Sequence, residues 1–192
     1  MSDWVIVVPV KGTAGSKSRM DASAELALAI ALDTVEVALA VAHVIVVTHP
    51  PAAADFVALG ARVVDDPGTG LNAAIAAGLE SVGPETATAV LLGDHPALNC
   101  AELREALTAA SRVPRALVAD SDGIGSALTT ALPGVEHRLA FGTGSRHAHV
   151  AAGYRELEGD WPGLRRDVDV AADLEGLHLG PRTRRALEKL TP

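Results

Sequence analysis

The sequence predicts a three-layer α/β fold in which a mostly parallel sheet is covered by helices on both faces. Strand-like and helix-like stretches alternate with short connections up to residue 120, which is the pattern of parallel strands joined by crossover helices. A chain of 192 residues, of which 48% are hydrophobic, supplies one full core and is short for two. Because no repeat, low-complexity tract or linker interrupts it, residues 1–192 are expected to form a single domain.

The strands are short, continuous apolar runs bounded by turn residues, which is typical of strands buried on both faces. The runs between them are longer and carry helical patterns. Strands are expected at residues 4–10, 43–48, 61–65, 87–92 and 115–119, and helices at residues 21–42, 52–59, 71–82 and 99–111.

Two features concern the later part of the chain. Asn99 stands three residues before Glu102, which predicts an N-terminal cap for the helix that starts there. Beyond residue 120, glycines punctuate shorter β-like pieces, and helical patterns return only near Ala171 and over residues 181–190. The C-terminal third is therefore expected to be a modified version of the regular alternation.

The composition excludes several classes of function. A formal net charge of −8 argues against non-specific nucleic-acid binding, which requires a basic surface. Cys100 is the only cysteine, so neither an intramolecular disulfide nor a cysteine zinc cluster is expected. The chain starts directly with a strand-like run, and no segment approaches about 18 uninterrupted apolar residues. We therefore expect a cytoplasmic protein with no membrane partner.

In an open parallel sheet, ligands bind beyond the carboxyl ends of the strands. This rule selects the loops at residues 11–19, 66–72 and 93–96. The first loop combines glycines with Lys11, Lys17 and Arg19, and so places positive charge where an acidic protein would hold a triphosphate. Its glycine and lysine spacing differs from a Walker A loop, and a simple solvated loop is the alternative interpretation.

Three aspartates are candidate metal ligands. Asp94 ends an apolar strand, and Asp167 and Asp169 point to the same face if their segment is extended, with Val168 directed to the core. Two carboxylates so close repel each other unless a cation lies between them, and oxygen ligands suit Mg²⁺ or Mn²⁺. The structural alternative is that Asp94 and Asp169 cap the helices that follow them.

The histidines and serines suggest no other catalytic centre. His147 and His149 have the spacing of a metal pair, but without a third ligand nearby a substrate-loop or surface role is favoured. His95, beside Asp94, is ambiguous, and a serine hydrolase is disfavoured because no GxSxG elbow is present. The histidines expected to be structural are His43, His137 and His178.

Five motifs in order resemble one known family. PVKGTAGSKSR, DPGTGLNAAI, LLGDHPAL, FGTGSRHAH and WPGLRRDVDVAADL are similar to the phospholactate/phosphoenolpyruvate guanylyltransferases of coenzyme F-420 biosynthesis, over nearly the whole chain. The resemblance implies a Rossmann-like three-layer nucleotidyltransferase fold. It also implies transfer of GMP from GTP to the phosphate of phosphoenolpyruvate or 2-phospho-L-lactate, with release of pyrophosphate.

The resemblance implies a role for each matching residue. Two Mg²⁺ ions would be held by the metal ligands Asp94, Asp167 and Asp169, and Lys17 and Arg19 would join Asp94 as catalytic residues. The nucleotide-binding residues would be Lys11, Gly12, Gly70, Leu71 and Asn72, and the acid-binding residues Ser126, Gly142, Ser145 and Arg146. The sequence departs from the family at His95, where an aliphatic residue is usual, and at Ser126, where threonine is expected.

Other functions stay open at this point. A molybdenum-cofactor or sugar-phosphate type of nucleotidyltransferase is the nearest alternative, although KGTAGSKSRM lacks the fuller glycine-rich signature expected of the molybdopterin enzymes. A non-catalytic nucleotide-binding regulatory protein is the alternative from another class. The expected partners are GTP and a phosphorylated three-carbon acid. Whether the chain forms a homodimer, or hands an unstable product to the next enzyme of the pathway, is left open.

Overall fold

A computed structural model describes residues 3–11, 22–168 and 174–190 of the chain. These residues form strands and helices that alternate as far as the fifth strand. The strands are β1 (Trp4–Pro9), β2 (His43–Thr48), β3 (Arg62–Asp65), β4 (Ala87–Leu91), β5 (Arg115–Ala119), β6 (Ser126–Ala131) and β7 (Arg155–Glu156). The helices are α1 (Ala22–Leu39), α2 (Pro50–Leu59), α3 (Leu71–Glu80), α4 (Cys100–Ala110), α5 (Ser145–Ala151), α6 (Pro162–Arg165) and α7 (Pro181–Glu188).

The strands form a single sheet in the order β3-β2-β1-β4-β6-β5-β7. Neighbouring strands run parallel except around β6, which is antiparallel to both β4 and β5. The mostly parallel sheet predicted from the sequence is therefore confirmed, as are its first five strands.

Strand β6 is the main departure from the regular alternation. Its residues are small or polar, and the sequence indicated only short β-like pieces in this part of the chain. In the structure every residue of β6 is buried between β4 and β5. Because β6 runs in the opposite direction, its first residue, Ser126, lies at the same edge of the sheet as the carboxyl ends of β4 and β5.

Helices cover both faces of the sheet. Ile6, Val8 and Val46 belong to a large apolar cluster that also contains residues of α1, α2 and α4. The alternate positions Val7 and Val47 point to the other face, where they meet α3. This arrangement gives the three layers that the sequence predicts.

Helix α3 approaches the sheet closely at Gly78. A Cβ atom at this position would lie 2.5 Å from Cγ1 of Val7 and 2.8 Å from Cγ2 of Val47. A side chain would therefore push α3 away from the strands, together with the loop that precedes this helix.

Helix α7 is attached to α1 through the buried carboxylate of Asp33. Its Oδ2 atom accepts hydrogen bonds from the backbone N–H and the hydroxyl of Thr183, both at 2.8 Å. Its Oδ1 atom accepts from Nη1 of Arg182 at 3.1 Å. The N-cap residue of α7 is Gly180, which has no side chain to cap the helix. Asp33 therefore acts as the hydrogen-bond acceptor for the backbone N–H groups of the first turn. Lys189 and Glu25 form a further ion pair between the two helices.

The predicted cap of α4 is confirmed. The side chain of Asn99 accepts hydrogen bonds from the backbone N–H groups of Ala101 and Glu102, both at 3.0 Å. The return half of a capping box is modified, because Glu102 accepts hydrogen bonds from the side-chain amide of Asn99 at 2.7 Å and from the backbone N–H of Leu164 at 2.8 Å. In the part of the chain that the structure describes, no helix is long and apolar enough to cross a membrane.

Candidate active site

The loops selected from the sequence begin at one edge of the sheet. Lys11 follows β1, Asp66 follows β3 and Asp94 follows β4, and these three strands share the same direction as β2. The loops after β1 and β4 are in contact at Gly93, where a Cβ atom would lie 3.4 Å from the backbone oxygen of Pro9. The exposed Lys11 therefore begins its loop next to the segment that carries Asp94.

Asp94 has one carboxylate oxygen without a protein partner. Its side chain is 43% exposed, yet Oδ1 is buried and accepts no hydrogen bond in the described structure. The nearest polar group is Nε2 of His95, at 3.6 Å, and this nitrogen also lacks a hydrogen-bond partner. At this distance the contact is electrostatic rather than a hydrogen bond. A half-exposed carboxylate with an unsatisfied oxygen is well suited to bind a cation.

His95 is a buried structural residue. Its side chain is fully inaccessible, its Nδ1 lies 3.4 Å from the backbone oxygen of Arg166, and its own carbonyl accepts a hydrogen bond from the Thr34 hydroxyl at 3.2 Å. His95 therefore connects α1, the loop after β4 and the segment around residue 166. This resolves the role that the sequence leaves ambiguous.

Asp167 lies beside Asp94. The backbone N–H of Val168 donates to the carbonyl oxygen of Asp94 at 3.1 Å, which brings the two segments together. Burial raises the pKa of Asp167, and repulsion from the Asp94 carboxylate raises it further. Val168 packs against the apolar cluster between α1 and α7, so it points to the core as predicted.

The segment that carries Asp167 is held by α4 and β5. Oε2 of Glu102 accepts a hydrogen bond from the backbone N–H of Leu164 at 2.8 Å, and Nη1 of Arg165 donates to the Ala119 carbonyl at 2.9 Å. A Cβ atom on Gly163 would lie 2.2 Å from the backbone oxygen of Ala97. Glycine is therefore required where α6 touches the loop after β4.

Asp120 is a third acidic residue of this edge that was not predicted from the sequence. It follows β5, and repulsion from it contributes to raising the pKa of Asp167. Its oxygens accept hydrogen bonds from the backbone N–H groups of Ile124 at 2.9 Å and Gly125 at 2.6 Å. Asp120 thus shapes the turn before β6, and the turn residues between two strands were the available signal.

Several predicted residues lie outside the described part of the chain. These are Gly12, Lys17 and Arg19 of the first loop and Asp169 of the C-terminal motif. Within the described residues, no group of three or more histidine, cysteine or acidic side chains converges closely enough to hold a metal. The pair of Asp94 and Asp167 is the part of the predicted triad that the structure describes.

Ser126 forms a buried pair with His149. Its Oγ atom lies 2.9 Å from Nδ1 of His149, and the side chains are 4% and 0% exposed. The other ring nitrogen, Nε2, accepts a hydrogen bond from the backbone N–H of Ala140 at 3.1 Å. The expectation of a surface or substrate-loop role for His149 is therefore wrong, because α5 turns this side chain into the core. His147 remains exposed.

The segment between β6 and α5 is also held from α3. The side-chain amide of Asn72 donates to the Phe141 carbonyl at 2.9 Å, and its oxygen accepts from the Phe141 N–H at 3.0 Å. Asn72 therefore links the loop after β3 to the segment that contains Gly142. Beside it, Gly70 is exposed and Leu71 is 41% exposed, so both are open to a ligand at this edge.

The remaining acid-pocket candidates lie at the start of α5. Ser145 is buried, and its N–H donates to the Gly142 carbonyl at 3.0 Å. The guanidinium of Arg146 makes bidentate contacts to Glu156 and donates to the Gly123 carbonyl at 3.0 Å. The hydrogen bonds that Arg146 donates to the Glu156 carboxylate raise the pKa of Arg146. Arg146 is thus used to brace the turn before β6.

The structural role predicted for His137 is confirmed. Its ring nitrogens lie 3.1 Å from the Tyr154 hydroxyl and 3.1 Å from the Thr88 hydroxyl. The Tyr154 hydroxyl also accepts a hydrogen bond from the backbone N–H of Arg138 at 2.9 Å. Burial lowers the pKa of His137 to about 4, so the ring is neutral at pH 7.

Comparison with known proteins identifies related sequences and folds. The model of the MobA-like NTP transferase domain matches residues 13–188. A phosphoenolpyruvate guanylyltransferase of Thermomonospora curvata is 48% identical to this chain over 94% of it and 86% of the relative. A protein of the same name from Streptomyces coelicolor is 47% identical over 94% of this chain and 93% of the relative.

Two solved structures share the fold. CMP:2-keto-3-deoxy-manno-octonic acid synthetase, solved with CTP, matches with a TM-score of 0.60 and 15% identity over 97% of this chain and 100% of the other. Rv0371c of Mycobacterium tuberculosis, solved in complex with manganese, matches with a TM-score of 0.56 and 22% identity over 96% and 97% of the two chains. At these identities the likeness concerns the fold alone, and it confirms the predicted Rossmann-like three-layer arrangement.

Proposed function

The chain belongs to the MobA-like NTP transferase family, among the phosphoenolpyruvate guanylyltransferases, and from this we propose that it transfers GMP from GTP to phosphoenolpyruvate. It is an enzyme, a nucleotidyltransferase. We propose GTP as the donor, phosphoenolpyruvate as the acceptor and coenzyme F-420 biosynthesis as the pathway. 2-Phospho-L-lactate and 3-phosphoglycerate are the competing acceptors, because they carry the same two anionic groups.

The observation that carries this proposal is the pairing of Asp94 and Asp167 at the carboxyl edge of the sheet. Both are close to the antiparallel strand that starts with the acid-pocket candidate Ser126. A nucleotide and a small anion would therefore meet at the same two carboxylates.

The two carboxylates fit a divalent cation. Asp94 keeps a buried oxygen for which the described residues supply no hydrogen-bond partner, and Asp167 is half-buried with a pKa raised by burial and by Asp94. Carboxylate oxygens are preferred ligands of Mg²⁺. We propose that Asp94 and Asp167, together with Asp169, hold Mg²⁺, with two ions in the complete site. When bound, the metal would supply charge neutralisation between the two anionic substrates.

The reaction needs no general base. A phosphate monoester has a second pKa of about 6, so the phosphate of the acid is already largely ionised at neutral pH. One of its oxygens forms the new bond to the α-phosphorus of GTP, and the bond from that phosphorus to the β-phosphate oxygen breaks. The leaving group is pyrophosphate, which departs with the bonding electron pair.

The cationic loop and the loop after β3 would bind GTP. Lys17 and Arg19 would stabilise the charge that develops on pyrophosphate, with Lys11 and Gly12 beside the phosphates. Gly70 and Leu71 would lie against the guanosine. Asn72 would act indirectly, since its side-chain amide is committed to Phe141.

The acid would bind between β6 and α5. The hydroxyls of Ser126 and Ser145 and the backbone at Gly142 are the proposed contacts, because hydrogen-bond donors suit a carboxylate or phosphate. Arg146 would support this pocket by holding the turn before β6, since its guanidinium is engaged by Glu156 and Gly123.

Three further inferences concern the whole protein. We infer that residues 1–192 act as one domain and that the enzyme works in the cytoplasm. We also infer that the product, a phosphoanhydride, passes directly to the next enzyme of the pathway because it is prone to hydrolysis.

Sedimentation velocity would test the homodimer that the sequence leaves open.

The proposal is tested by incubating the enzyme with GTP, Mg²⁺ and an equimolar mixture of phosphoenolpyruvate, 2-phospho-L-lactate and 3-phosphoglycerate. Pyrophosphate release is followed, and the products are identified by mass spectrometry. We expect the guanylylated phosphoenolpyruvate to dominate. Dominance of another acid would overturn the acceptor, and turnover with CTP or ATP but not GTP in parallel incubations would overturn the donor.

A further inference from the structure

We propose that His149 is a positioning residue, which holds the Ser126 hydroxyl in the orientation that donates a hydrogen bond to the acid substrate. This inference rests on the proposed function, because it assumes that Ser126 meets an anionic acceptor. It adds a residue for which the sequence suggested only a metal-binding, substrate-loop or surface role.

The backbone of Ala140 fixes the protonation of the His149 ring. A backbone N–H is always a donor, so the hydrogen bond of 3.1 Å from Ala140 requires a lone pair on Nε2. In a neutral imidazole with a lone pair on Nε2, the proton is on Nδ1. The Nδ1–H group must then donate to Oγ of Ser126, 2.9 Å away.

The surroundings keep this ring neutral. His149 is fully buried, with the rings of Phe141 and Tyr154 edge-on at 4.8 Å and 5.1 Å between centroids. Burial lowers its pKa, which disfavours the imidazolium form. An imidazolium would also place a second N–H against the N–H of Ala140. Two other titratable groups lie near it, and both are neutral at pH 7, because burial lowers the pKa of His137 and raises that of Tyr154.

The tautomer of His149 determines where the hydrogen of the Ser126 hydroxyl points in the proposed acid pocket. Because Oγ of Ser126 accepts a hydrogen bond from His149, the hydrogen of the Ser126 hydroxyl is directed to a different acceptor. No second partner for this hydroxyl is found among the described residues. A phosphate or carboxylate only accepts hydrogen bonds, so it is the complementary group for this hydrogen. His149 thereby gives the pocket a fixed donor instead of a freely rotating hydroxyl.

The two ring nitrogens can be separated by substitution. In His149→Gln the side-chain oxygen replaces Nε2 as an acceptor for Ala140, but the donor to Ser126 is lost. In His149→Asn the amide nitrogen replaces Nδ1 as a donor to Ser126, but the acceptor for Ala140 is lost. His147→Gln is the matched control, because His147 lies on the same helix and is exposed.

For His149→Gln we expect kcat/KM for the acid to fall by roughly threefold to tenfold, because Ser126 keeps its hydroxyl but loses the neutral hydrogen bond that orients it. The KM for GTP should stay within about twofold of the wild type, since the glutamine keeps an acceptor for Ala140, whose neighbour Phe141 is bonded to Asn72. His149→Asn should retain more activity than His149→Gln. Equal or better activity of the glutamine variant would overturn the proposal.

A double-mutant cycle tests whether His149 acts through Ser126. We expect Ser126→Ala to lower kcat/KM for the acid, and His149→Gln to cause little further loss in that background. Fully additive losses would mean that His149 only stabilises the fold, and the inference would fail.

The tautomer is measured independently of activity. Long-range ¹H–¹⁵N correlation spectra of the labelled protein at pH 7, assigned with the His149→Gln variant, should show a protonated Nδ1 and an unprotonated Nε2. The opposite tautomer would refute the inference. If the tautomer is as expected but the wild type transfers GMP to no phosphorylated acid, the proposed function fails and the geometry of the pair stands.

Discussion

At the scale of single residues, the active-site edge concentrates carboxylates in a protein that must bind polyanions. Repulsion from Asp94 and from Asp120 raises the pKa of Asp167 here, although the oxygens of Asp120 also accept hydrogen bonds in the turn before β6. The net charge of −8 makes this arrangement unfavourable for a triphosphate without a bound cation. Metal binding and catalysis should therefore depend on the same two side chains.

Replacing either carboxylate by its amide should abolish transfer without unfolding the protein. We expect Asp94→Asn and Asp167→Asn each to lower kcat by roughly a hundredfold or more, because removing a metal ligand exceeds the effect of losing a supporting hydrogen bond. Pyrophosphate release measured across a Mg²⁺ titration checks this. Asp160→Asn, at an exposed position, is the matched control. Near-normal turnover of Asp94→Asn with Mg²⁺ would contradict the assignment.

The sequence predicted some of these residues and missed others for a physical reason. Asp94 stands directly after an apolar strand, and Asp167 lies two residues from Asp169, so local patterns identify them. His149 and Asp120 become informative only through partners that are distant in space or bonded to backbone atoms. A hydrogen bond from Ala140 to a ring nitrogen leaves no signature in the one-dimensional spacing of side chains.

At the scale of elements, the short helix α6 determines where Asp167 lies. It is fixed by Glu102 from α4, by the Arg165 side chain on β5, and by close backbone contact between Gly163 and Ala97. These contacts come from three different parts of the chain. The position of Asp167 is therefore a property of the packing of α6 rather than of the DVD motif alone.

Substitution of Gly163 should separate Asp167 from Asp94. A methyl group in Gly163→Ala would overlap the Ala97 carbonyl, which is backbone and cannot move aside as a side chain would. We expect the free energy of unfolding to fall by about 2–3 kcal/mol, in the range of overpacking, and the Mg²⁺ concentration for half-maximal activity to rise. Urea unfolding and a Mg²⁺ titration measure the two effects.

Gly83→Ala is the control, since the nearest atom to its added Cβ lies 4.0 Å away. We expect this variant to have wild-type stability and wild-type Mg²⁺ dependence. If Gly163→Ala behaves in the same way, α6 does not set the position of Asp167.

The carboxylate of Asp33 should carry much of the attachment of α7. In Asp33→Asn one acceptor oxygen becomes an N–H₂ donor that faces the donors of Arg182 or Thr183. We expect a loss of about 2–3 kcal/mol in the free energy of unfolding, because buried charged groups lose their partner. The side chain of Glu36 also pairs with Arg182 but is 52% exposed. Glu36→Gln should therefore lower the free energy of unfolding by less than about 1 kcal/mol. Equal losses in the two variants would contradict the capping role.

At the scale of the whole molecule, the buried histidines make stability depend on pH. The pKa of His137 is lowered from 6.5 to about 4 on folding, so the unfolded chain binds more protons between these values. The stabilisation is fully present above pH 6.5 and is lost as the pH falls toward about 4. His149, whose pKa is also lowered by burial, adds to the same trend.

We expect His137 to contribute a loss of about 2 kcal/mol between pH 7 and pH 5, from about 1.4 kcal/mol per pH unit below its unfolded pKa. The measurement is urea unfolding at both pH values for the wild type and His137→Gln. The variant should lose less stability on acidification, while the exposed His147→Gln should follow the wild type. Asp167 titrates equally in all three proteins, so comparing the variants removes its effect.

The architecture was largely predictable because it follows from hydrophobic alternation. The five parallel-type strands, their helices and the cap of α4 were confirmed, and each depends on residues that are neighbours in sequence. The reversal of β6 was missed, since its SALTTA residues carry neither a strong β pattern nor any indication of direction. The Asp33 cap of α7 was missed as well, because its partners lie 149 and 150 positions away.

That long separation has a consequence for protein synthesis. During translation, the chain emerges with α1 available early, whereas Asp33 obtains its partners only after Thr183 has left the ribosome. Until then α1 lacks the helix that closes the apolar cluster around Val168. We therefore expect nascent chains that contain β1–β6 to form the sheet but to lack activity. In pulse proteolysis of stalled chains, the segment around Val168 should become protected only once α7 has emerged.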